Sequence, residues 1–353
     1  MITRFRTAAV AIAAVSAIGL VLTGCTQQAP GGDTGGGDAA GDLSAIKVAL
    51  VPGGAHPYFQ PWTDGGQAAV DEFGIGGVTF NETGEWDQTK QNSAIDSLAA
   101  QGYTAFGIFG VSPTDINSTF ESLKSKGLAV GSLASCPAGD VNEAEFCLST
   151  DTGEAAYLAA VAAIEAMGGA GNLVHLTGNA VDSNTQRRIE GVQKAVDETG
   201  GSVTLLQTIT DIDKDLQTAQ KAVADLLASK GSEIGGIVTT AYNPAVAATE
   251  AVGSSGLDIK VIGIDDDAVL LDAIRSGAIT GTVVQNPWGQ GYVGTWALAN
   301  LQAGICTVND PGFIVDSGSF LVTAENVDTY DDEREAKTKE ILSAFQSDYL
   351  TCA

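Results

Sequence analysis

IKVALVPGGAHPYFQPW, residues 46–62, decides the fold. Apart from Lys47 its first six residues are an apolar, β-rich run of the length and composition of a strand buried on both faces. Pro52, Gly53 and Gly54 break that run, His56-Pro57-Tyr58-Phe59 makes a turn, and a helical pattern follows from Gln60 to Phe73. A strand that passes to a helix through such a turn is the first half of a βαβ unit.

The alternation continues outward. Strand-like runs recur at 77–81, 105–109, 128–133, 172–177, 203–208, 234–240, 260–265, 279–284 and 318–323. Helical patterns lie between them at 88–100, 114–126, 153–167, 183–199 and 214–229, with Gly102, Gly127, Gly200 and Gly231 just past helix ends, where a left-handed residue is expected. The fold class is therefore α/β. About ten strands exceed one doubly wound sheet of ordinary size, so two doubly wound parallel-sheet lobes are expected. The first comprises residues 43–150 and 286–316, and the second residues 151–285 and 317–353. The chain crosses between them near Thr150, Gln285 and Asp316, which makes a three-segment hinge. Ligands of open parallel sheets bind outside the carboxyl ends of the strands, so function is sought just after Val51, Phe109, Leu133, Thr177, Thr240 and Ile264.

The chain has 353 residues, 44% of them hydrophobic and 17% charged, enough apolar side chain to build a sizeable core. Residues 1–24 read as a secretion signal: Arg4 and Arg6 precede an uncharged stretch from Thr7 to Leu22, too short to span a bilayer. That stretch ends Leu22-Thr23-Gly24-Cys25, a bacterial lipobox whose Cys25 thiol would carry the lipid. Residues 25–42, rich in glycine and without hydrophobic period, read as a flexible tether. The expected location is the outer face of the cytoplasmic membrane, with only the lipid touching it. Loss of the two leader arginines takes the formal charge from −26 to −28, a field that repels phosphate backbones and argues against a nucleic-acid partner.

Four further cysteines allow three connectivities in an oxidising compartment. The favoured one joins Cys136 to Cys147, bracketing a loop-like run with Pro137 and Gly139, and Cys306 to Cys352, pinning the C-terminal segment. No metal and no cofactor is expected. His56 and His175 are the sole histidines, and no CxxC occurs. The run Asp211-Ile212-Asp213-Lys214-Asp215 imitates half a calcium loop but has Leu216 for the required glycine and Ala222 for the closing glutamate, so a helix-capping turn is expected. Walker A, nucleophile-elbow and zinc-protease motifs are missing, which leaves an enzyme without catalytic groups.

The order strand, His56-Pro57-Tyr58-Phe59, helix, followed by the pattern from Lys90 to Ile108, resembles the type I periplasmic sugar-binding proteins of ABC importers, the ribose-binding-like group. The resemblance runs from about Ile46 to Val322. It implies that Tyr58 and Phe59 stack on a sugar ring and that His56 bonds its hydroxyls. It also implies that Arg188, in Arg188-Ile189-Glu190-Gly191, donates to ring and hydroxyl oxygens, that Asp265 accepts two hydroxyls, and that Gln285, in Gln285-Asn286-Pro287, touches ligand at the hinge. These roles make physical sense, because sugar C–H faces prefer aromatic planes and a guanidinium offers five donors. Asp266 and Asp267 read as helix N-terminal charges and Arg187 as a surface cation.

The chain departs from the ribose pattern at Phe109, at Ala134-Ser135 and at Ala241-Tyr242, where that pattern has polar residues. A pocket with Phe109 and Tyr242, joined by Trp86 and Trp288, suits a polyol, deoxysugar or modified sugar. The implied function is a monomeric substrate-binding protein delivering a small sugar or polyol to an ABC permease and its ATPase. A sensory receptor using the same closed form, and an extracytoplasmic enzyme, stay open as alternatives.

Overall fold

A computed structural model describes residues 41–353; the leader, Cys25 and most of the tether lie outside the described residues. The chain begins β1 (Lys47–Val51), α1 (Pro61–Phe73), β2 (Gly77–Phe80), α2 (Gln88–Ala100), β3 (Ala105–Ile108), α3 (Ile116–Ser125), β4 (Ala129–Leu133) and β5 (Phe146–Ser149). It crosses into α4 (Thr152–Ala166), β6 (Gly171–Leu176), α5 (Ser183–Asp197), β7 (Val203–Ile209), α6 (Leu216–Lys230), β8 (Gly236–Thr239), α7 (Tyr242–Ser255), β9 (Lys260–Ile264), α8 (Ala268–Arg275) and β10 (Gly281–Gln285). It returns through α9 (Pro287–Gln302), β11 (Cys306–Val308) and β12 (Phe313–Asp316), then continues into β13 (Ser319–Thr323), α10 (Tyr330–Ala344) and β14 (Leu350–Cys352).

Two six-stranded sheets result, ordered β12-β5-β4-β3-β1-β2 and β13-β10-β9-β8-β6-β7. Every pairing within them is parallel except β13 on β10, an antiparallel edge. The central strands are buried almost end to end, as Val48 to Val51 and Val261 to Ile264 illustrate, because helices cover both faces. Strand-to-helix loops close on an Asx cap: Asp87, Asp151, Asp182, Asp215, Asp267 and Asn286 each accept a backbone N–H in the first turn of the helix they precede. Each such cap is worth about 1 kcal/mol. Asp215 thus caps α6, in keeping with the capping reading of the run 211–215.

Four expectations are corrected. Residues 317–353 do not all belong to the second lobe: β13 does, and Val327 and Tyr330 enter its core, but Ile341, Phe345 and Leu350 are buried in the first lobe's core. Helix α10 therefore spans both lobes, and the chain crosses a fourth time, because its apolar residues toward Leu350 find partners in Phe146 and Phe313. Phe146–Ser149, inside and beyond the supposed loop, forms a central strand between β4 and β12. Cys306 and Cys352 lie opposite each other in the β11–β14 ribbon. Gly231 is right-handed at φ −52°, since the chain runs on into a 3₁₀ turn, whereas Gly102, Gly127 and Gly200 are left-handed. Trp288, counted with the pocket, stacks on Tyr292 at 5.1 Å on the α1–α9 face instead. Both favoured disulfides, Cys136–Cys147 and Cys306–Cys352, are present.

Helices α4 and α5 pack backbone against backbone at one point, where a methyl group on Gly191 would be driven into the carbonyl oxygen of Gly153. Gly191→Ala is therefore expected to cost about 1–3 kcal/mol. Gly253, inside α7, faces open space, so Gly253→Ala should instead stabilise by about 0.5–1 kcal/mol through helix propensity. Urea melts of both variants check the opposite signs; destabilisation of similar size in both would refute the packing argument.

Candidate binding cleft

The carboxyl ends of the two sheets face each other across a cleft. On the first-lobe side, Pro57–Phe59 forms a 3₁₀ turn capped by His56, whose Nδ1 accepts the Tyr58 N–H at 3.2 Å. With Nδ1 used as an acceptor, the proton of the neutral ring sits on Nε2. That nitrogen is buried and lies 3.5 Å from the Asp213 carboxylate of the second lobe. Asp213 is held there by the backbone N–H of Asn243 at 2.8 Å and its amide at 3.0 Å. The His56 ring also meets the Tyr242 ring edge-on at 5.7 Å, and Asn184 of α5 donates to the Ala134 carbonyl at 3.4 Å. The lobes are thus in direct contact across the cleft.

The turn opens an aromatic cluster. Phe59, only 3% exposed, packs against Trp62, Tyr58 and Phe109 at 5.0, 5.1 and 5.2 Å between ring centroids. Trp86 lies 6.0 Å from Phe109 and leaves 47% of its surface exposed. Phe59 is therefore the inner member of the cluster and Trp86 the outer one. Burial, followed by the nearby Asp265 charge, pushes the Tyr58 phenol pKa well up.

The second lobe contributes the polar half. Asp265 follows β9 directly, is 7% exposed and has a left-handed backbone at φ 66°. Its N–H donates to Val283 and its carbonyl accepts the Thr282 hydroxyl at 2.8 Å, so the unusual backbone is tied on both sides. Its carboxylate accepts the Gln285 amide at 2.8 Å. Burial pushes its pKa up to about 7, with the Asp266 charge adding to the rise while the Gln285 bond and the Arg188 charge oppose it. Arg188 brings a buried Nε without a hydrogen-bond partner. His175 lies beneath, wholly buried, its Nε2 2.7 Å from the Thr240 hydroxyl; burial and then Arg188 push its pKa down to about 3, which keeps it neutral.

His56, Tyr58, Phe59, Trp86 and Phe109 are thereby gathered on the first-lobe side, and Arg188, Tyr242, Asp265 and Gln285 on the second. Tyr242 places its ring at the cleft, but its hydroxyl donates to Asp267 at 2.6 Å. Asp267 also caps α8, whereas Asp266 accepts from Tyr330 and Arg334 of α10 and is no cap. Arg187 lines a surface groove with Asp151, Tyr157 and Lys194, away from Arg188. Sequence reasoning missed Asp213 as a partner of His56, and it missed Gln290 of α9, whose Oε1 accepts the Tyr58 hydroxyl at 3.2 Å. The only sequence signal for Asp213 was its place after a strand; Gln290 had none. Among the described residues, the five non-glycine residues with positive φ, Glu85, Trp86, Ala134, Asp211 and Asp265, all sit in loops after strands, and such backbone strain gathers at binding sites. Among the described residues no cluster of His, Cys, Asp and Glu is arranged for a metal ion, and no helix is long and apolar enough to cross a membrane.

This arrangement, two parallel-sheet lobes with facing carboxyl edges, is that of a solute-binding protein. A family model described as a periplasmic binding protein domain matches residues 48–305, and the chain belongs to that family, one of solute-binding proteins rather than enzymes. The chain is 25% identical to a xylitol-binding protein of Mycolicibacterium smegmatis over 324 residues, 90% of this chain and 86% of that one. It is 26% identical to a ribose import binding protein of Bacillus subtilis over 219 residues, 62% of this chain and 69% of the other. Among solved structures, an ABC transporter solute-binding protein from Burkholderia graminis in complex with D-arabinose superposes with a TM-score of 0.72 at 21% identity, covering 82% of this chain and 99% of that one. A sugar-binding protein of a Bacillus halodurans sugar ABC transporter gives 0.71 at 22% identity, over 81% and 99%. These likenesses show the shared fold.

Asp265 makes stability depend on pH. Its carboxyl ionises near 3.8 when unfolded and near 7 when folded, so between these values the native state holds a proton that the unfolded state has lost, and stability falls as pH rises. Three units correspond to about 4 kcal/mol. Asp265→Asn, which cannot ionise, should therefore gain a few kcal/mol over the parent at pH 8 and about nothing at pH 4. Denaturant titrations across that range test it; a difference independent of pH would refute the raised pKa.

Proposed function

We propose that this protein is the lipid-anchored receptor of an ABC importer, holding a small neutral sugar or polyol between its lobes and presenting the closed form to the permease. The observation that carries this reading is the pairing of an aromatic wall with two buried polar groups, the Nε of the half-buried Arg188 and the Asp265 carboxyl, at facing sheet edges. An apolar C–H face would lie against Tyr58 and Trp86, with Phe59 and Phe109 backing them. Hydroxyls would bond to the unpartnered Arg188 Nε, to the Asp265 carboxylate that Gln285 orients, and to His56 Nε2. Tyr242 would close the pocket with its ring rather than its hydroxyl. The relatives that bind xylitol and D-arabinose by name support a ligand of about five carbons. The Leu22-Thr23-Gly24-Cys25 motif supports lipid attachment at Cys25, outside the cytoplasm.

Calorimetry with xylitol, other pentitols and aldopentoses tests the site. Asp265→Ala should weaken the tightest of them by about 2–4 kcal/mol, and Tyr58→Ala by about 1–2 kcal/mol. Because an ionised Asp265 accepts two hydroxyls, affinity should rise from pH 5.5 to 8, with proton release on binding below pH 7. Unchanged affinity in folded Asp265→Ala and Arg188→Ala would sink the assignment. Separately, Cys25→Ala should abolish detergent-phase partitioning; a variant that still partitions would rule out the anchor.

A further inference from the structure

Tyr58 is not a free-standing aromatic wall. Its hydroxyl donates to Gln290 Oε1 at 3.2 Å, and the same oxygen accepts the Trp62 indole N–H at 3.1 Å. The Gln290 side chain is wholly buried, and its Nε2 donates to the Ser317 hydroxyl at 2.9 Å. Ser317 Oγ lies 3.2 Å from Thr150 Oγ1. Tyr58, Gln290, Ser317 and Thr150 therefore form a chain of side-chain hydrogen bonds running from the turn into the hinge. Thr150 and Ser317 are the residues at which β5 and β12 leave the first sheet for the second lobe. The crossing after β10 joins through Asn286, whose amide donates to the Ser317 carbonyl at 3.2 Å and to Thr338 at 2.9 Å.

An amide is the group this node requires. Its oxygen serves two donors at once and its nitrogen supplies the opposite polarity to a hydroxyl, which an apolar or a purely accepting side chain cannot do. Fully satisfied buried networks of this kind fix one geometry, while a gap in them is expensive.

We infer that Gln290 is a positioning residue that ties the Tyr58 ring to the lobe-crossing segments at Thr150, Asn286 and Ser317, so that the orientation of the ligand-facing aromatic and the setting of the hinge are one coupled variable. The inference rests on the proposed ligand cleft for its binding consequence and on the hydrogen-bond chain alone for its mechanical one. It also assigns specificity: the Tyr58 hydroxyl is already engaged, so the residue offers solute a π face and no donor.

The test uses the mature chain, with xylitol and D-arabinose as probes. Tyr58→Phe and Ser317→Ala remove the partners on either side of Gln290 while leaving Gln290 and its Trp62 bond in place, and Gln290→Met removes the node. Tyr58→Phe and Ser317→Ala are each expected to weaken binding of the better probe about 3- to 10-fold, and the double variant no more than about 10-fold, because the second cut falls in a chain already uncoupled from the hinge. Gln290→Met should weaken it about 10- to 100-fold. A merely structural role would leave the two single effects multiplicative, and that result overturns the inference. Independently of any solute, spin labels on the two lobes of the ligand-free protein should show a broader interlobe distance distribution in both Ser317→Ala and Gln290→Met. An unchanged distribution in Ser317→Ala, the variant that keeps Trp62 satisfied, overturns it as well. If neither probe binds the parent chain, the ligand reading fails on that count, while the label distances still decide the role of Gln290.

Discussion

A carboxylate withdrawn from water at the end of a buried strand is the constraint around which the cleft is arranged. Such a group is expensive to bury unless hydrogen-bonded or neutralised, and Asp265 receives both treatments: Gln285 donates to it, Arg188 stands near it, and burial holds its proton to about pH 7. The same residue sits in a left-handed conformation that costs about 1–2 kcal/mol in a non-glycine residue. Backbone bonds to Val283 and Thr282 over-determine that conformation. Stability is given up here in favour of an acceptor aimed at the cleft, a trade typical of sites rather than of cores.

The surplus of acid is partly explained by the architecture. Five aspartates cap helices at or near the cleft-side ends of strands, where a carboxylate satisfies backbone N–H groups and meets the positive end of the helix dipole. Asp213 and Asp266 do different work, one facing His56 across the cleft and the other holding Arg334 and Tyr330 of α10. A run of like charges in sequence thus separates into capping, lobe contact and long-range anchoring once each carboxylate finds its nearest donor.

Local pattern revealed most of the framework because each βα unit is self-announcing: a buried parallel strand is an apolar run, and an Asx residue with a periodic segment announces its helix. Phe146–Ser149 escaped because four residues carry no period, and their cysteine suggested a loop. The tail escaped because Ile341, Phe345 and Leu350 choose a lobe by tertiary contact, which no spacing within the segment encodes. At the cleft, residues next to strand ends, such as His56, Asp265 and Gln285, were legible from their place in the chain. Gln290 was not: it lies within a helix buried on nearly every side, where a single amide among apolar neighbours reads as an accident until its partners, 232 and 27 positions away, are seen.

The two ends of the described chain meet at one place. Gly41 lies against the carbonyl of Ala303, just beyond α9, and the N–H of Ala353 donates to Ile305 at 2.9 Å, where the β11–β14 ribbon is closed by its disulfide. Helix α9 starts beside the hinge and ends here, a full helix length of about 24 Å away at the usual rise. Anything that precedes Leu43 therefore pulls on the first lobe at the pole remote from the cleft. Under the lipid attachment proposed at Cys25, the leash would reach the first lobe at that remote end and bear on no hinge segment, which would make the first lobe the stator and the second the moving jaw.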